Sequence, residues 1–319
     1  DVYKRQGQGS AIVQAVQGLK YAMSVPHPIP YQGSKRALAP MLLNYIPHRM
    51  ERLIEPFAGS AALSILAAQQ GRMKQFWLND LNVPLIDLWR SIVDNPNRLS
   101  ERYEFLWTHQ LGEERRFYDL VRERFNKTQR PYYLLYLLAR CVKASVRYNT
   151  NGEFNQSPDN RRKGKQPNAM RRDIERVAAL FKGCGQFSAC DYKQVLAQAT
   201  PNDIVYLDPP YQGVSRRDRR YLETVEFDEL TCELDLLSQR NIPYLLSYDG
   251  QTGTKIFGQP LPKTLELTRI EIAAGRSSQA TLLGRHDHTI ESIYLSPILS
   301  KKLNLFLVSS MTYQLPELA

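Results

Sequence analysis

The sequence predicts an α/β protein with a Rossmann-like core, and three observations support this fold class. Short apolar runs, such as residues 52–57 and 204–207, alternate with segments of helical periodicity. A turn of glycine, alanine and serine follows the first of these runs, as in a nucleotide-type strand–turn–helix unit. The next strand candidate ends at Asp80, about twenty residues beyond Gly59, which is a common position for an acid that binds a ribose.

The individual elements follow from periodicity and from turn signals. In chain order, we expect strand 52–57, helix 62–70, strand 75–78, helices 85–93, 99–109, 113–125 and 132–146, helix 168–181, strand 186–189, strand 204–207, helix 227–240, strand 244–247 and a β-hairpin of 264–272 with 289–295. The run of helices interrupts the strand–helix alternation. It therefore indicates an inserted subdomain within the core.

The predicted domain organisation follows from this interruption. Residues 1–22 resemble a non-native leader before Met23, and we expect them to be dispensable. Residues 23–96 and 177–300 are predicted to form the core, and residues 97–176 a helical, basic insert. Residues 301–319 are predicted to be a C-terminal tail.

Composition and charge limit the functional classes. Of the 319 residues, 43% are hydrophobic and 23% are charged, which is ordinary for a globular protein. No apolar run approaches the roughly 18 residues of a membrane span, and the four cysteines lack metal-type spacing and disulfide density. We therefore expect a protein of the reducing cytoplasm without a membrane or metal partner.

The net charge of +10 favours a polyanionic partner. Basic residues concentrate in the loop of residues 147–172 and again just after Tyr211. The basic candidates for nucleic-acid contact in these two segments are Arg147, Arg161, Arg162, Lys163, Arg216 and Arg217. Phosphate contacts supply most of the affinity for nucleic acids. A solvated basic loop is the alternative for each segment.

The most informative stretch is residues 203–211, where a buried apolar strand runs into Asp208, Pro209, Pro210 and Tyr211. Ligands of open α/β sheets bind beyond the carboxyl ends of the strands, so these side chains are expected at a site. Asp208 and the Pro209 carbonyl supply two acceptors for an exocyclic amino group, and Tyr211 supplies a stacking face. Taken alone, the four residues also fit a strand end followed by a stiff turn.

Five ordered motifs together resemble the alpha-group, Dam-type adenine-N6 DNA methyltransferases. The motifs are Tyr31-Gln-Gly-Ser-Lys35, Glu55-Pro-Phe-Ala-Gly59, Asn79-Asp80-Leu-Asn82, Arg147-Tyr-Asn-Thr-Asn-Gly-Glu-Phe-Asn155 and Asp208-Pro-Pro-Tyr211. The resemblance covers roughly residues 30–296. It implies S-adenosylmethionine as the methyl donor, double-stranded DNA as the substrate, and a target-recognition insert.

The resemblance also implies roles for residues at matching positions. Tyr31 and Lys35 would hold the methionine end of the cofactor, and Asp80 the ribose hydroxyls. The rest of the implied cofactor set is Glu55, Phe57, Gly59, Asp191 and Asp208. The implied catalytic set is Asp208, Pro209, Pro210 and Tyr211, and the insert would contact DNA through Lys143, Arg147 and Asn149 in addition to the basic loop.

Three positions depart from the family pattern. Ala61 stands where the family turn often has a second glycine, and Lys143 where some members carry a short polar residue. Residues 156–158 also differ from the commoner loop. These differences concern the pocket and the DNA recognition sequence, while the residues needed for the chemistry are present.

The reaction implied by the resemblance is direct methyl transfer to a flipped-out adenine at a specific DNA site. The enzyme would serve a restriction-modification system, with an independently acting endonuclease as partner, or would be an orphan methylase of a bacterial or phage nucleoid. A nitrogen methyltransferase acting on RNA or on a glutamine side chain is the nearest alternative. A DNA-binding protein that has lost catalysis is the alternative from another class.

Overall fold

The computed structural model describes residues 24–210, 225–252, 255–257, 259–276, 288–303 and 312–313. The strands of these residues join one mixed sheet in the order β3-β2-β1-β4-β5-β8-β7-β9, with β6 paired to β5. The strands are β1 (Arg52–Glu55), β2 (Gln75–Asn79), β3 (Gly185–Ser188), β4 (Asp203–Leu207), β5 (Tyr244–Thr252), β6 (Lys255–Phe257), β7 (Thr268–Arg276), β8 (His288–Leu295) and β9 (Thr312–Tyr313).

The first five strands run parallel to one another, and this direction determines where the site lies. β1 pairs in parallel with β2 and β4, β2 with β3, and β4 with β5. Their carboxyl ends therefore meet at one edge of the sheet, where loops can assemble a binding site. β8 then pairs antiparallel to β5 and to β7, which confirms the predicted hairpin.

Strand β4 is central and buried along its whole length, as its apolar sequence predicts. Successive side chains of a strand point to opposite faces, and the two hydrophobic clusters follow this alternation. Ile204 and Tyr206 join the larger cluster with the insert helices, whereas Val205 and Leu207 join the second cluster. The sheet is therefore covered on both faces.

The helices that cover the sheet agree with most of the predicted segments. They are α1 (Ala39–Asn44), α2 (Ala62–Gln69), α3 (Val83–Asp94), α4 (Pro96–His109), α5 (Glu114–Thr128), α6 (Pro131–Arg140), α7 (Pro167–Phe181), α8 (Tyr192–Ala197), α9 (Phe227–Gln239) and α10 (Pro297–Lys302). Within the described ranges, none of them has the length and apolar character needed to cross a membrane.

Several predicted boundaries are wrong: β5 continues to Thr252 instead of ending at residue 247, and β1 ends at Glu55 instead of residue 57. The helix expected over residues 132–146 ends at Arg140, because Cys141 is extended and Lys143 and Ala144 adopt left-handed backbone angles, with φ of 58° and 50°. The first hairpin strand begins at Thr268, because Lys263–Leu265 form a 3₁₀ turn. At the end of the helix and at the start of the hairpin strand, the apolar pattern includes residues whose backbone has a different conformation.

The insert shares its hydrophobic core with the sheet. Tyr103 and Leu135 of the insert helices lie in the same buried cluster as Leu53 and Phe76 of the sheet. The division into residues 23–96, 97–176, 177–300 and 301–319 stays a prediction of the sequence, as does the leader of residues 1–22, which lies outside the described residues.

Candidate active site

A cavity of about 350 Å³ opens at the carboxyl ends of β1, β2 and β4. Every residue of the predicted cofactor set lines it: Tyr31, Lys35, Glu55, Phe57, Gly59, Asp80, Asp191 and Asp208. Pro209 and Pro210 lie in the same wall, whereas Tyr211 is outside the described residues. Residues from widely separated motifs therefore meet in one place.

The turn after β1 requires glycine at position 59. Gly59 has a φ of +47°, which favours glycine, and a Cβ at this position would lie 3.0 Å from Cε1 of Tyr31. Its N–H donates to Oδ2 of Asp80 at 3.1 Å, and its carbonyl accepts from Nε1 of Trp89 at 3.0 Å. The backbone turn, the Tyr31 ring and the Asp80 carboxylate are thus fixed relative to one another.

Asp80 keeps acceptor capacity for a ligand although it is already bonded. Besides the Gly59 bond, its Oδ1 accepts from the Asn82 N–H at 3.0 Å. A carboxylate has about four lone-pair sites, so further positions on both oxygens remain for hydroxyl groups. Burial raises the pKa of Asp80, and the two backbone hydrogen bonds oppose this shift.

Asn79 organises the floor of the site, and the sequence reasoning assigned it no role. Its Nδ2 donates to the Pro56 carbonyl at 3.0 Å and to the Cys190 carbonyl at 2.9 Å, while its Oδ1 accepts from Ser188 Oγ at 2.7 Å. One buried amide at the end of β2 therefore connects the segment that follows β1 with the end of β3 and the segment that follows it. The sequence feature that could have indicated this role is a polar residue at the end of an apolar strand.

The electrostatic centre of the cavity is Lys35, which is only 8% exposed. Its Nζ lies 3.3 Å from Oδ1 of Asp208 and 3.1 Å from Oε2 of Glu291. Burial raises the pKa of Asp208 to about 6, with Lys35 opposing the shift and Glu291 adding to it. Glu291 lies on β8, far along the chain from every quoted motif, so no local pattern indicated it.

Glu55 faces the cavity wall and also stabilises the start of α2. It is 3% exposed, and its Oε1 accepts from the Ser64 N–H at 2.8 Å. Burial raises the pKa of Glu55 to about 7, and the nearby Asp208 charge adds to this shift. Its contacts are those of a residue that caps a helix inside the site.

The far end of the cavity is partly aromatic. The rings of Phe57 and Tyr192 lie 5.1 Å apart at 36°. Asp191 caps the N-terminus of α8 by accepting from the Lys193 N–H at 2.8 Å. Phe57 and Asp191 were predicted from the sequence, whereas Tyr192 was not.

Hydrogen bonds between motifs hold the insert against the cavity. Ser60 Oγ donates to Ser34 Oγ at 2.7 Å, and the Gln32 N–H donates to the Ala144 carbonyl at 3.0 Å. The hydroxyl of Tyr148 donates to Oδ1 of Asn82 at 3.2 Å. The Tyr31 motif, the glycine turn, the Asp80 loop and the insert are therefore linked directly.

The predicted DNA-contact residues that the structure describes are not part of the cavity lining. Lys143 and Arg147 are exposed, but the amide of Asn149 is engaged inside its own loop, where it donates to Glu153 Oε2 at 2.8 Å. Arg161 and Arg162 lie 3.2 and 3.5 Å from Asp159, and Lys163 lies 3.1 Å from Glu114. The side chains of these three cations are at least 61% exposed, so such pairs are weak and exchangeable.

Arg216 and Arg217 lie outside the described residues. Across the part of the chain that is described, no group of three or more histidine, cysteine, aspartate or glutamate side chains could hold a metal ion.

A family model for the D12 class N6 adenine-specific DNA methyltransferases matches residues 31–259. The chain belongs to this family. The match spans the Tyr31 motif, the glycine turn, the insert and the Asp208 motif, so the family, the fold class and the enzyme class predicted from the five motifs are confirmed.

Several curated relatives carry related names. A type II methyltransferase of Lactococcus lactis subsp. cremoris, M1.LlaDCHI, is 27% identical over 215 residues, or 64% of this chain and 69% of that protein. The retron Ec67 DNA adenine methylase of Escherichia coli is 28% identical over 57% of this chain and 62% of its own length. The DNA N-6-adenine-methyltransferase of Escherichia phage P1 is 29% identical over 57% of this chain but only 23% of its own length.

Proposed function

We propose that this D12-class protein transfers a methyl group from S-adenosylmethionine to N6 of a specific adenine in double-stranded DNA. One observation carries the proposal: Lys35, Asp80 and Asp208 line a single cavity at the carboxyl edge of the parallel strands. The relatives are named both as type II methyltransferases and as DNA adenine methylases. A restriction-modification role with a separate cytoplasmic endonuclease and an orphan role both fit these names.

The size of the cavity and its charged and aromatic side chains suit S-adenosylmethionine. A volume of about 350 Å³ lies within the usual range of ~300–1,000 Å³ for small-molecule sites. Lys35 would hold the carboxylate of the methionine end, and Asp80 would accept from the ribose hydroxyls through its remaining lone pairs. The Phe57–Tyr192 pair offers an apolar surface for a flat base. When bound, the cofactor supplies an electrophilic methyl group on a sulfonium.

Asp208 would act on the amino group of the target adenine. Its carboxylate accepts one N6 hydrogen bond and the Pro209 carbonyl accepts the other, so the nitrogen lone pair is left for attack. As the N–methyl bond forms, N6 loses a proton to Asp208 or to water, and no covalent enzyme intermediate is needed. The rate gain then comes from positioning and electrostatics.

The base must leave the helix to reach this cavity, at a cost of a few kcal/mol. Stacking on an aromatic side chain, worth about 1–3 kcal/mol per base, would offset this cost, and Tyr211 is the residue that we propose for it. The exposed cations of the insert would hold the phosphate backbone. DNA affinity and catalysis should therefore depend on different residues.

Replacement of Asp208 tests the proposal most directly. Asp208→Ala should abolish methyl transfer to DNA, because the N6 acceptor is lost, while DNA affinity stays within about threefold. Transfer of a labelled methyl group should be measured in parallel on DNA, RNA and protein substrates.

The matched control is Asp87→Ala, which removes a largely solvent-accessible carboxylate that pairs with Arg90 of the same helix. This variant should keep wild-type turnover. Full turnover in the Asp208 variant would contradict the catalytic assignment. Methylation of RNA or protein in place of DNA by the wild type would identify the nearest alternative, and cofactor binding without transfer to any substrate would identify a protein that has lost catalysis.

A further inference from the structure

Lys35 is shared between two carboxylates that come from different parts of the sheet. Asp208 follows the parallel strand β4, whereas Glu291 belongs to β8 of the antiparallel hairpin. The Lys35 ammonium lies slightly closer to Glu291, at 3.1 Å, than to Asp208, at 3.3 Å. Each of the two carboxylates has a side chain that is 20% exposed, and Asp208 lines the cavity together with Lys35.

In this arrangement Asp208 has two competing interactions, one with Lys35 and one with the target amino group. In the reaction proposed above, Asp208 must accept a hydrogen bond from the target amine, and a tight pair with Lys35 would occupy the same oxygens. Separating a buried ammonium from a neighbouring carboxylate is costly. Glu291 gives Lys35 a second protein carboxylate that stays beside it when Asp208 turns to the amine, whether or not the cofactor is bound.

We propose that Glu291 is a positioning residue that holds Lys35 in place while Asp208 turns to the target amino group. The inference rests on the proposed function. Glu291 does not touch the reacting atoms in this scheme. It acts through Lys35, whose position it fixes, and through the charge that it presents to Asp208.

The groups facing Asp208 from the surrounding elements are Lys35, Glu291, Glu55 and the hydroxyl of Tyr206. Among them, Lys35 favours the ionised form of Asp208, and Glu291 disfavours it. If the Glu291 charge is removed, Lys35 is no longer shared between Glu291 and Asp208. Both effects then lower the pKa of Asp208, so the direction of the change is unambiguous.

The test is Glu291→Gln in the full chain, with Glu271→Gln as the matched control. Glu271 lies on the adjacent strand β7 and pairs with Arg269 at 3.2 Å on the exposed side. The titration of Asp208 should be followed by carbon-13 NMR of the labelled carboxyl, assigned with Asp208→Asn. Glu291→Gln should move its midpoint about one unit to lower pH, and Glu271→Gln should leave it unchanged.

Turnover gives a second measurement. Glu291→Gln should lower kcat about tenfold, since one pKa unit of extra pairing on Asp208 corresponds to a factor of ten. KM for DNA should stay within about twofold, because the proposed role of Glu291 is to position Lys35 and not to contact DNA. Glu291→Asp, which keeps the charge on a shorter side chain, should keep the titration midpoint near that of the wild type and lose part of kcat.

An Asp208 midpoint and a kcat that both match the wild type in Glu291→Gln would overturn the proposal. If that variant does not fold, Glu291→Asp decides the matter, since an unchanged kcat there would also overturn it. The NMR titration needs neither cofactor nor DNA. A wild type that fails to methylate DNA would therefore contradict the proposed function, and the titration would still report whether Glu291 acts on Asp208.

Discussion

Two left-handed residues in one turn show how much a single side chain matters in this site. Gly59 and Ala61 both have a φ of 47°; a Cβ at Gly59 would meet the Tyr31 ring, whereas the Ala61 methyl group is already buried in the hydrophobic core. A left-handed backbone costs a residue with a Cβ about 1–2 kcal/mol relative to its preferred conformation. Ala61 therefore carries a strain that a second glycine would relieve.

Substitutions at these two positions should change stability to different extents. Ala61→Gly should change the free energy of unfolding by less than about 1 kcal/mol, because relief of the left-handed strain is offset by the loss of a buried methyl group. Gly59→Ala should lower it by about 2 kcal/mol or more, because the new Cβ is strained and also meets Tyr31. Urea denaturation measures both changes. Equal effects of the two substitutions would contradict the role given to the Tyr31 contact.

The pH dependence of catalysis should report Asp208. Its pKa is raised to about 6 by burial, and the proposed mechanism uses the ionised form. The value of kcat/KM for DNA should therefore fall as the pH drops through about 6, since this parameter reflects groups of the free enzyme. Steady-state rates between pH 5 and pH 8.5 give the profile. A flat profile over that range would exclude Asp208 as the titrating acceptor.

At the scale of elements, the residues that line the site and an ion pair that stabilises the sheet lie at opposite ends of the central strands. The carboxyl ends of β1 and β4 carry the site, whereas their amino ends are joined by a bidentate pair of Arg52 and Asp203. Arg52 also lies 5.2 Å over the ring of Trp77, and Asp203 accepts from the Thr200 N–H at 2.7 Å. These contacts hold the central strands together at the end away from the cavity.

Breaking this pair should affect folding alone. Asp203→Ala leaves the Arg52 guanidinium without its main partner and should lower the free energy of unfolding by about 3 kcal/mol. At a temperature where the variant is folded, kcat should match that of the wild type. Denaturation curves and turnover measured on the same preparation check both parts. A loss of kcat in the folded variant would show that the two ends of the sheet are coupled.

At the scale of the whole molecule, charge and cavity occupy different regions. The basic residues of the insert that are proposed to contact DNA and are described, such as Arg147, Arg161 and Lys163, lie on its surface, whereas the cavity holds one buried lysine among several carboxylates. A polyanion would therefore bind through the insert, and the negatively charged groups of the cavity suit a cationic cofactor and an amino group. This separation matches the two tasks that the proposed reaction requires.

The salt dependence of DNA binding should test the basic loop. Replacing Arg161, Arg162 and Lys163 together by alanine should reduce the slope of log affinity against log salt by up to about three, near 0.9 for each lost phosphate contact. The control is the double replacement of Lys301 and Lys302, exposed cations of α10. A slope that changes equally in both variants would assign the effect to net charge alone.

The sequence by itself determined the parallel strands, the order of the motifs and the identity of the family. These properties follow from local patterns, because a buried parallel strand needs a continuous apolar run and a strand-end motif needs only neighbouring residues. Lys35, Asp80 and Asp208 could each be named in this way. Their meeting in one cavity could be expected from the shared edge of the sheet.

Only the tertiary structure decided the partners of those residues. Glu291 reaches Lys35 because β8 returns antiparallel beside β5, and Asn79 gains its role because the loops after β1 and β3 converge on it. The end of α6 at Arg140 depends on left-handed residues that the Ala144–Gln32 contact holds in place. Sequence patterns record what a residue prefers locally, whereas contacts between distant segments exist only after the chain has folded.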